Sequence, residues 1–133
     1  MTGKLRSARG FTLIELMVVM TIIVTLATIA MVQYRQSVQL AREAVLKDDL
    51  FKMRDAIDQY YADKNQYPPT LDDLVSAGYI RALPKDPITN STSSWQAVPA
   101  EPEPGSNSLS PGVYDVKSGS DQQAMDGSRY SDW

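Results

Sequence analysis

The sequence predicts an α+β fold in which a long N-terminal helix packs against a small C-terminal antiparallel sheet with loops. A predominantly apolar run of 22 residues covers Phe11 to Val32. Apolar residues at helical spacing continue to about residue 64, and short β-branched segments between turn residues occupy the C-terminal third. The 133 residues therefore divide into an anchoring segment and one small domain.

Composition excludes several kinds of function. The chain has 13 Lys and Arg against 16 Asp and Glu, a net charge of -3, and neither cysteine nor histidine. An acidic domain repels phosphate backbones, so nucleic acid is not an expected partner. Without cysteine and histidine, disulfides, thiolate metal sites and Ser-His-Asp or Cys-His catalysis are excluded. Any metal must be bound by oxygen atoms.

The first ten residues carry three basic side chains, Lys4, Arg6 and Arg9, directly before the apolar run. At ~1.5 Å per residue, a helix over this run spans roughly the hydrocarbon thickness of a bilayer. The positive-inside rule then keeps the N-terminus in the cytoplasm and sends the C-terminal domain across the membrane. We therefore predict a single-pass membrane protein whose C-terminal domain lies across the membrane from the cytoplasm. A signal-peptidase site between Ala27 and Ala30 is a weak alternative.

Glu15 is the one charged side chain within the apolar run. A carboxylate in lipid costs a few kcal/mol or more, so it is by default a functional residue with a partner. A cut between Gly10 and Phe11 would create an α-amino group that neutralises it, within one chain or between chains. The alternative is a tolerated charge that the helix dipole favours near an N-terminus.

Residues 9–18, ArgGlyPheThrLeuIleGluLeuMetVal, resemble the class III signal of type IV pilins and pseudopilins. This resemblance implies a pilin-like fold, cleavage after Gly10 by a membrane prepilin peptidase, and N-methylation of Phe11. The essential glutamate of the family falls on Glu15. The resemblance also implies the regions and their location: a leader peptide over 1–10, a transmembrane and fibre-core helix over 11–32 in the inner membrane, and a periplasmic globular domain over 33–133. Processing would leave a net charge of -6.

Beyond Val32 the helical pattern continues as one apolar stripe to about residue 64. Its members are Val38, Ala41, Val45, Leu46, Leu50, Met53, Ile57 and Tyr60. We interpret the stripe as core that packs against a sheet, with partner contact as the alternative. Arg42, Lys47, Asp48, Asp55 and Asp58 lie on the other face. Asn65 and the prolines after it end the helix.

A short helix is predicted over 71–77, capped by Thr70 and ended by Gly78. Strands are expected around 95–98 and over 112–117, with loop over most of 91–111. Residues 60–87 closely resemble the region after the long helix in the G-type major pseudopilin. The family usually continues with tryptophan and glycine where this sequence has Ile88 and Thr89.

The segment 118–133 offers the carboxylates of Asp121, Asp126 and Asp132 among hydroxyls and turn glycines. Hard oxygen ligands of this kind suit calcium, although the spacing is not that of an EF-hand, and on composition alone solvated turns are the better explanation. The resemblance implies calcium (Ca2+) in this loop. Asp121 and Asp126 match best, Ser118 adds an oxygen, and Asp132 matches least well. We expect chelation to lower the melting temperature.

The resemblance implies a structural subunit of the periplasmic pseudopilus that drives protein export by type II secretion, and not an enzyme. Its implied partners are further copies of itself, minor pseudopilins, the prepilin peptidase and the inner-membrane assembly platform. A type IV pilus major pilin for adhesion, motility or DNA uptake is the alternative. Many such pilins close a C-terminal loop with a disulfide, which this chain cannot form.

Overall fold

The computed structural model describes residue 3 and residues 10–102, 104–105 and 111–133. The predicted leader peptide, residues 1–10, therefore lies outside the described residues except for Gly3 and Gly10. The chain divides into two compact units, Met1–Val38 and Gln39–Trp133. Its elements confirm the predicted α+β fold of a long N-terminal helix and a small antiparallel sheet.

One helix, α1, extends over the 52 residues Leu13–Lys64. It begins after Phe11 because Thr12 occupies the N-cap position, where its hydroxyl oxygen accepts the backbone N–H of Glu15 over 3.2 Å. At the other end Asn65 adopts a φ of 55°, the left-handed conformation that the sequence predicts for it. Its backbone N–H donates to the carbonyl of Tyr61 over 2.8 Å, which satisfies a terminal acceptor of the helix.

In the first unit, the apolar side chains of α1 are exposed. Large hydrophobic side chains from Leu13 to Val32 expose between 45% and 75% of their area. The hydroxyls of Thr21, Thr25 and Thr28 each donate to the carbonyl four residues earlier over 2.8 Å. These donors are therefore satisfied within the helix, although they lie on its apolar surface. Among the residues that the structure describes, α1 is the one helix long and apolar enough to cross a membrane.

In the second unit, α1 contributes the central row of the core. Five members of the predicted stripe are buried: Leu46, Leu50, Met53, Ile57 and Tyr60. The prediction is wrong for Ala41 and Val45, which are exposed. Both lie roughly 100° or more around the helix from the row that contains Leu46 and Leu50, so the sheet and loops do not cover them.

A second helix, α2, covers Leu71–Ser76, and Ala77 follows it as the C-cap. The carboxylate of Asp73 accepts both the backbone N–H and the hydroxyl of Thr70 over 2.8 Å, which fixes the start of the helix. Leu74 is fully buried. Gly78, with a φ of 84°, ends the element in the left-handed conformation that glycine adopts without strain.

The sheet has two antiparallel strands, β1 (Gln96–Pro99) and β2 (Val113–Lys117). Gln96 pairs with Lys117 and Val98 pairs with Asp115, and the register shifts between Val98 and Pro99. Val113 and Val116 are the buried residues of β2. A short 3-10 helix, Tyr130–Asp132, follows later in the chain.

Two groups of buried side chains form the core of the second unit. The first contains Leu46, Leu50, Met53, Trp95, Val116, Ala124 and Tyr130. The second contains Ala56, Ile57, Tyr60, Leu74 and Val113. The indole N–H of Trp95 donates to the carbonyl of Pro84 over 2.7 Å, so this buried aromatic ring also satisfies a loop carbonyl. This bond ties the loop after α2 to the core, and Ala124 and Tyr130 bring the segment after β2 into the same core.

Candidate functional site

The predicted processing residues lie in a non-helical segment immediately before α1. Gly10 is exposed, and Phe11 exposes 85% of its area. An exposed backbone outside helices and strands is the kind of segment that proteases cut. The geometry is therefore compatible with cleavage between these two residues, which stays a prediction.

Glu15 lies in the first turn of α1, and its side chain is exposed. Thr12 and Glu15 have the threonine-x-x-glutamate spacing of a capping box, a signal in the sequence that would have identified Thr12 as the N-cap. The carboxylate also lies where the helix dipole stabilises negative charge. This local role and a pairing with an α-amino group are compatible, because the carboxylate remains accessible.

Ser118, a predicted calcium ligand, is fully buried at the end of β2. Its hydroxyl donates to Oδ2 of Asp86 over 2.6 Å, so it is directed into the domain. Asp86 is itself fully buried, and its Oδ1 accepts the backbone N–H of Ile88 over 2.8 Å. Asp86 was not predicted from the sequence, where it reads as one residue of a turn. The hydrogen bond from Ser118 explains its burial, but this partner lies too far away in the sequence to leave a local signal.

The predicted aspartate ligands are exposed. Asp126 Oδ1 accepts the hydroxyl of Ser128 over 2.6 Å and the backbone N–H of Ser128 over 2.9 Å. The hydrogen bond from the Ser128 hydroxyl is the main reason why the pKa of Asp126 lies below its usual value. Asp121, Asp126 and Asp132 do not form one cluster, since the described residues contain no group of three or more acidic side chains that could hold a metal ion. The side chains as arranged do not fit a calcium cage, and calcium binding stays a prediction.

Three polar residues of α1 contact the C-terminal segment, and the sequence did not predict these contacts. Glu43 is only 7% exposed, and its Oε1 accepts the hydroxyl of Tyr130 over 2.8 Å. The guanidinium of Arg54 donates to the carbonyl oxygen of Trp133 over 2.6 Å. The ammonium of Lys47 lies 4.7 Å from the centre of the Trp133 ring. Glu43 is buried and Arg54 is half-buried, although both are polar. The spacing of residues along a helix does not reveal such burial.

Known proteins match the chain in two ways. The family model described as a prokaryotic N-terminal methylation motif matches residues 5–31. The type II secretion system core protein G of Klebsiella pneumoniae is 37% identical over 95 residues, which are 59% of this chain and 68% of that protein. The protein of the same name from Aeromonas hydrophila is 34% identical over 101 residues, covering 64% of this chain and 71% of that protein.

A third relative, the type II secretion system core protein G of Escherichia coli K12, is 35% identical over 98 residues, 62% of this chain and 68% of that protein. No solved structure matches the chain. The methylation motif covers the segment that contains Gly10, Phe11 and Glu15, and the chain matches 68% to 71% of the length of these relatives. The chain therefore belongs to the family of the type II secretion system core protein G, the major pseudopilin.

Proposed function

We propose that the chain is cut between Gly10 and Phe11 by a prepilin peptidase and then assembles, through the exposed half of α1, into a pseudopilus. Its family membership makes it a structural subunit of the pseudopilus in type II secretion. The prepilin motif at residues 5–31 and the named relatives support this function. We expect no catalytic activity, because those relatives are named as core proteins of a secretion system.

The observation that carries the proposal is the exposed apolar surface of α1 from Leu13 to Val32. A surface of this size is unstable in water and must be covered by lipid or by protein. Before assembly, lipid would cover it, with the N-terminus in the cytoplasm and the domain in the periplasm. After assembly, the same helices from further copies would cover it in the fibre core. Contacts that repeat head to tail build an open helical polymer.

The charge of Glu15 would fix where along α1 two neighbouring copies pair. Its carboxylate follows an exposed, non-helical segment, and cleavage after Gly10 would place a new ammonium group on Phe11 only four residues before it. Pairing the two charges, within one chain or with a neighbouring copy, would reduce the cost of placing each of them in an apolar environment. The further proposed partners are minor pseudopilins and the inner-membrane assembly platform.

The test is the intact mass and N-terminal fragmentation of the protein extracted from membranes of cells with an active prepilin peptidase. A chain that starts at N-methylated Phe11 supports the proposal, and an intact Met1 or a start near Ala30 contradicts it. Glu15→Gln should be processed like the natural chain but should fail to restore secretion in a strain that lacks its own major pseudopilin. The matched control is Glu101→Gln, which removes one exposed carboxylate far along the chain. Surface pili at native expression would favour the pilus alternative.

A further inference from the structure

Three polar residues of α1, Glu43, Lys47 and Arg54, form one stripe beside the apolar row. Their spacing of four and seven residues places them on the same side of a helix. All three contact the C-terminal segment 118–133, as the distances to Tyr130 and Trp133 show. We call Glu43, Lys47 and Arg54 the polar stripe.

Glu43 is the most buried member of the polar stripe. Its Oε1 accepts the backbone N–H of Met125 over 2.9 Å, the hydroxyl of Tyr130 over 2.8 Å and the side-chain amide of Gln39 over 3.2 Å. Hydrogen bonds to a charged, largely buried acceptor are stronger than neutral ones. One carboxylate thus fixes a backbone position and a side chain of the C-terminal segment.

Lys47 and Arg54 fix the remainder of this segment through Trp133. The carbonyl oxygen of Trp133 accepts from Arg54, and Lys47 lies over its ring. The indole N–H of Trp133 donates to the hydroxyl oxygen of Ser128 over 2.7 Å, and that hydroxyl donates to Asp126 over 2.6 Å. The contacts continue from α1 through Trp133 and Ser128 to the aspartate that was predicted to bind calcium.

The chemistry of these contacts is the opposite of a calcium site. A calcium ion gathers carboxylate and carbonyl oxygens around a positive centre. Here N–H and O–H donors from Met125, Tyr130 and Gln39 gather around a negative carboxylate. The serine that was expected to contribute an oxygen to calcium, Ser118, instead donates to Asp86. The polar stripe therefore holds the C-terminal segment against α1 without using any of the predicted calcium ligands.

We propose that the polar stripe closes the C-terminal segment without a metal ion, so that this domain keeps its fold when calcium is removed. The inference does not depend on the proposed role in secretion. It replaces the expectation, drawn from the family resemblance, that chelation lowers the melting temperature. Calcium that reaches Asp121 or Asp126 would bind to a segment that is already ordered.

The experiment measures thermal unfolding of the full chain in detergent micelles by tryptophan fluorescence, once with EGTA and once with excess calcium. We expect the same melting temperature in both buffers. Glu43→Gln keeps the size of the side chain but removes its charge, and it should lower the melting temperature by about 4–8 °C in both buffers, a shift typical of losing one such interaction in a small domain. Asp121→Asn is the matched control, which should match the natural chain in both buffers.

Amide hydrogen exchange gives a readout specific to the polar stripe. The backbone N–H of Met125 should be equally protected with EGTA and with calcium, and it should exchange faster in Glu43→Gln. A melting temperature that falls in EGTA, or a Met125 amide that is protected only with calcium, would overturn the proposal. If Glu43→Gln does not fold, the comparison of the natural chain in the two buffers decides the question alone.

Discussion

Arg54 donates from Nε to Oδ1 of Asp115 over 2.7 Å, and this ion pair joins α1 to β2 across 61 positions of sequence. The same guanidinium also donates to the carbonyls of Val116 and Trp133. One side chain thus connects the helix, the sheet and the C-terminal segment. The side chains of the pair are 37% and 28% exposed, so water screens part of their attraction.

We predict that Arg54→Ala destabilises the domain by about 1–2 kcal/mol, because three acceptors, the Asp115 carboxylate and the carbonyls of Val116 and Trp133, lose their donor. Urea unfolding of the full chain in detergent, followed by tryptophan fluorescence, measures this change. Lys52→Ala is the control, since Lys52 pairs with Asp48 on the exposed side of the same helix and should change stability little. Equal effects of the two substitutions would contradict the prediction.

Thr12 should matter for the start of α1. Thr12→Val removes the oxygen that accepts the backbone N–H of Glu15 but keeps the side-chain shape, so it should cost the first turn about 1 kcal/mol. The measurement is amide exchange of Glu15 in micelles, which should become faster. Thr12→Ser restores the hydroxyl and should restore protection. Unchanged exchange in Thr12→Val would refute the capping role.

Gly119 lies where any side chain collides with the backbone carbonyl oxygen of Ser94. Gly119→Ala should therefore destabilise the domain by about 1–3 kcal/mol, because the loop after β2 must move away from the loop before β1. Gly127→Asn is the control: nothing lies within 4 Å of an added Cβ there, and asparagine bears the positive φ of 87° at less cost than most residues, so its effect should be the smaller of the two. Denaturant midpoints of the two variants should differ clearly, and similar midpoints would count against the close contact.

Asp49 should make the domain less stable at neutral pH than a neutral residue would. Burial, more than the neighbouring carboxylates of Asp48 and Asp86, raises the pKa of Asp49 above its usual value. The folded state therefore binds this proton more tightly than the unfolded state does. Its stability falls as the pH rises from the ordinary aspartate value through the raised pKa.

Asp49→Asn removes this effect, so its melting temperature should exceed that of the natural chain at pH 7. The difference should shrink as the pH falls below the ordinary aspartate range, because the natural carboxyl is then protonated in both states. Thermal unfolding across this pH range checks both statements. The exposed Asp58 supplies the control variant Asp58→Asn. A difference in melting temperature between Asp49→Asn and the natural chain that grows toward low pH would contradict the prediction.

The regular elements could be predicted because their signals are local. The row from Leu46 to Tyr60 repeats at helical spacing, and Asn65 and the prolines after it mark where α1 ends. Val45 was assigned wrongly because an apolar type at an approximate spacing does not specify which side of the helix the sheet covers. Periodicity also cannot distinguish a solvated carboxylate from a buried one such as Glu43.

The predicted site residues likewise form two groups, one with a local sequence signal and one without. Gly10, Phe11 and Glu15 belong to one continuous motif, and the family model matches that motif. Ser118 and Asp126 were chosen because their oxygen atoms suit calcium, but residue type does not determine which neighbour a hydroxyl or carboxylate faces. Their actual partners, Asp86 and Ser128, became visible only with the fold. Long-range polar pairs leave no pattern in a single sequence.

The carboxylate of Glu43 meets Met125 and Tyr130, which follow it by 82 and 87 positions. A ribosome completes α1 long before it reaches these partners, so for much of its synthesis a nascent chain carries an uncovered apolar row and a carboxylate that water still hydrates. Closure of the domain is a late event that requires its final segment. A chain interrupted before Tyr130 would keep its anchor yet lack a finished domain, and proteases would distinguish it from a complete subunit.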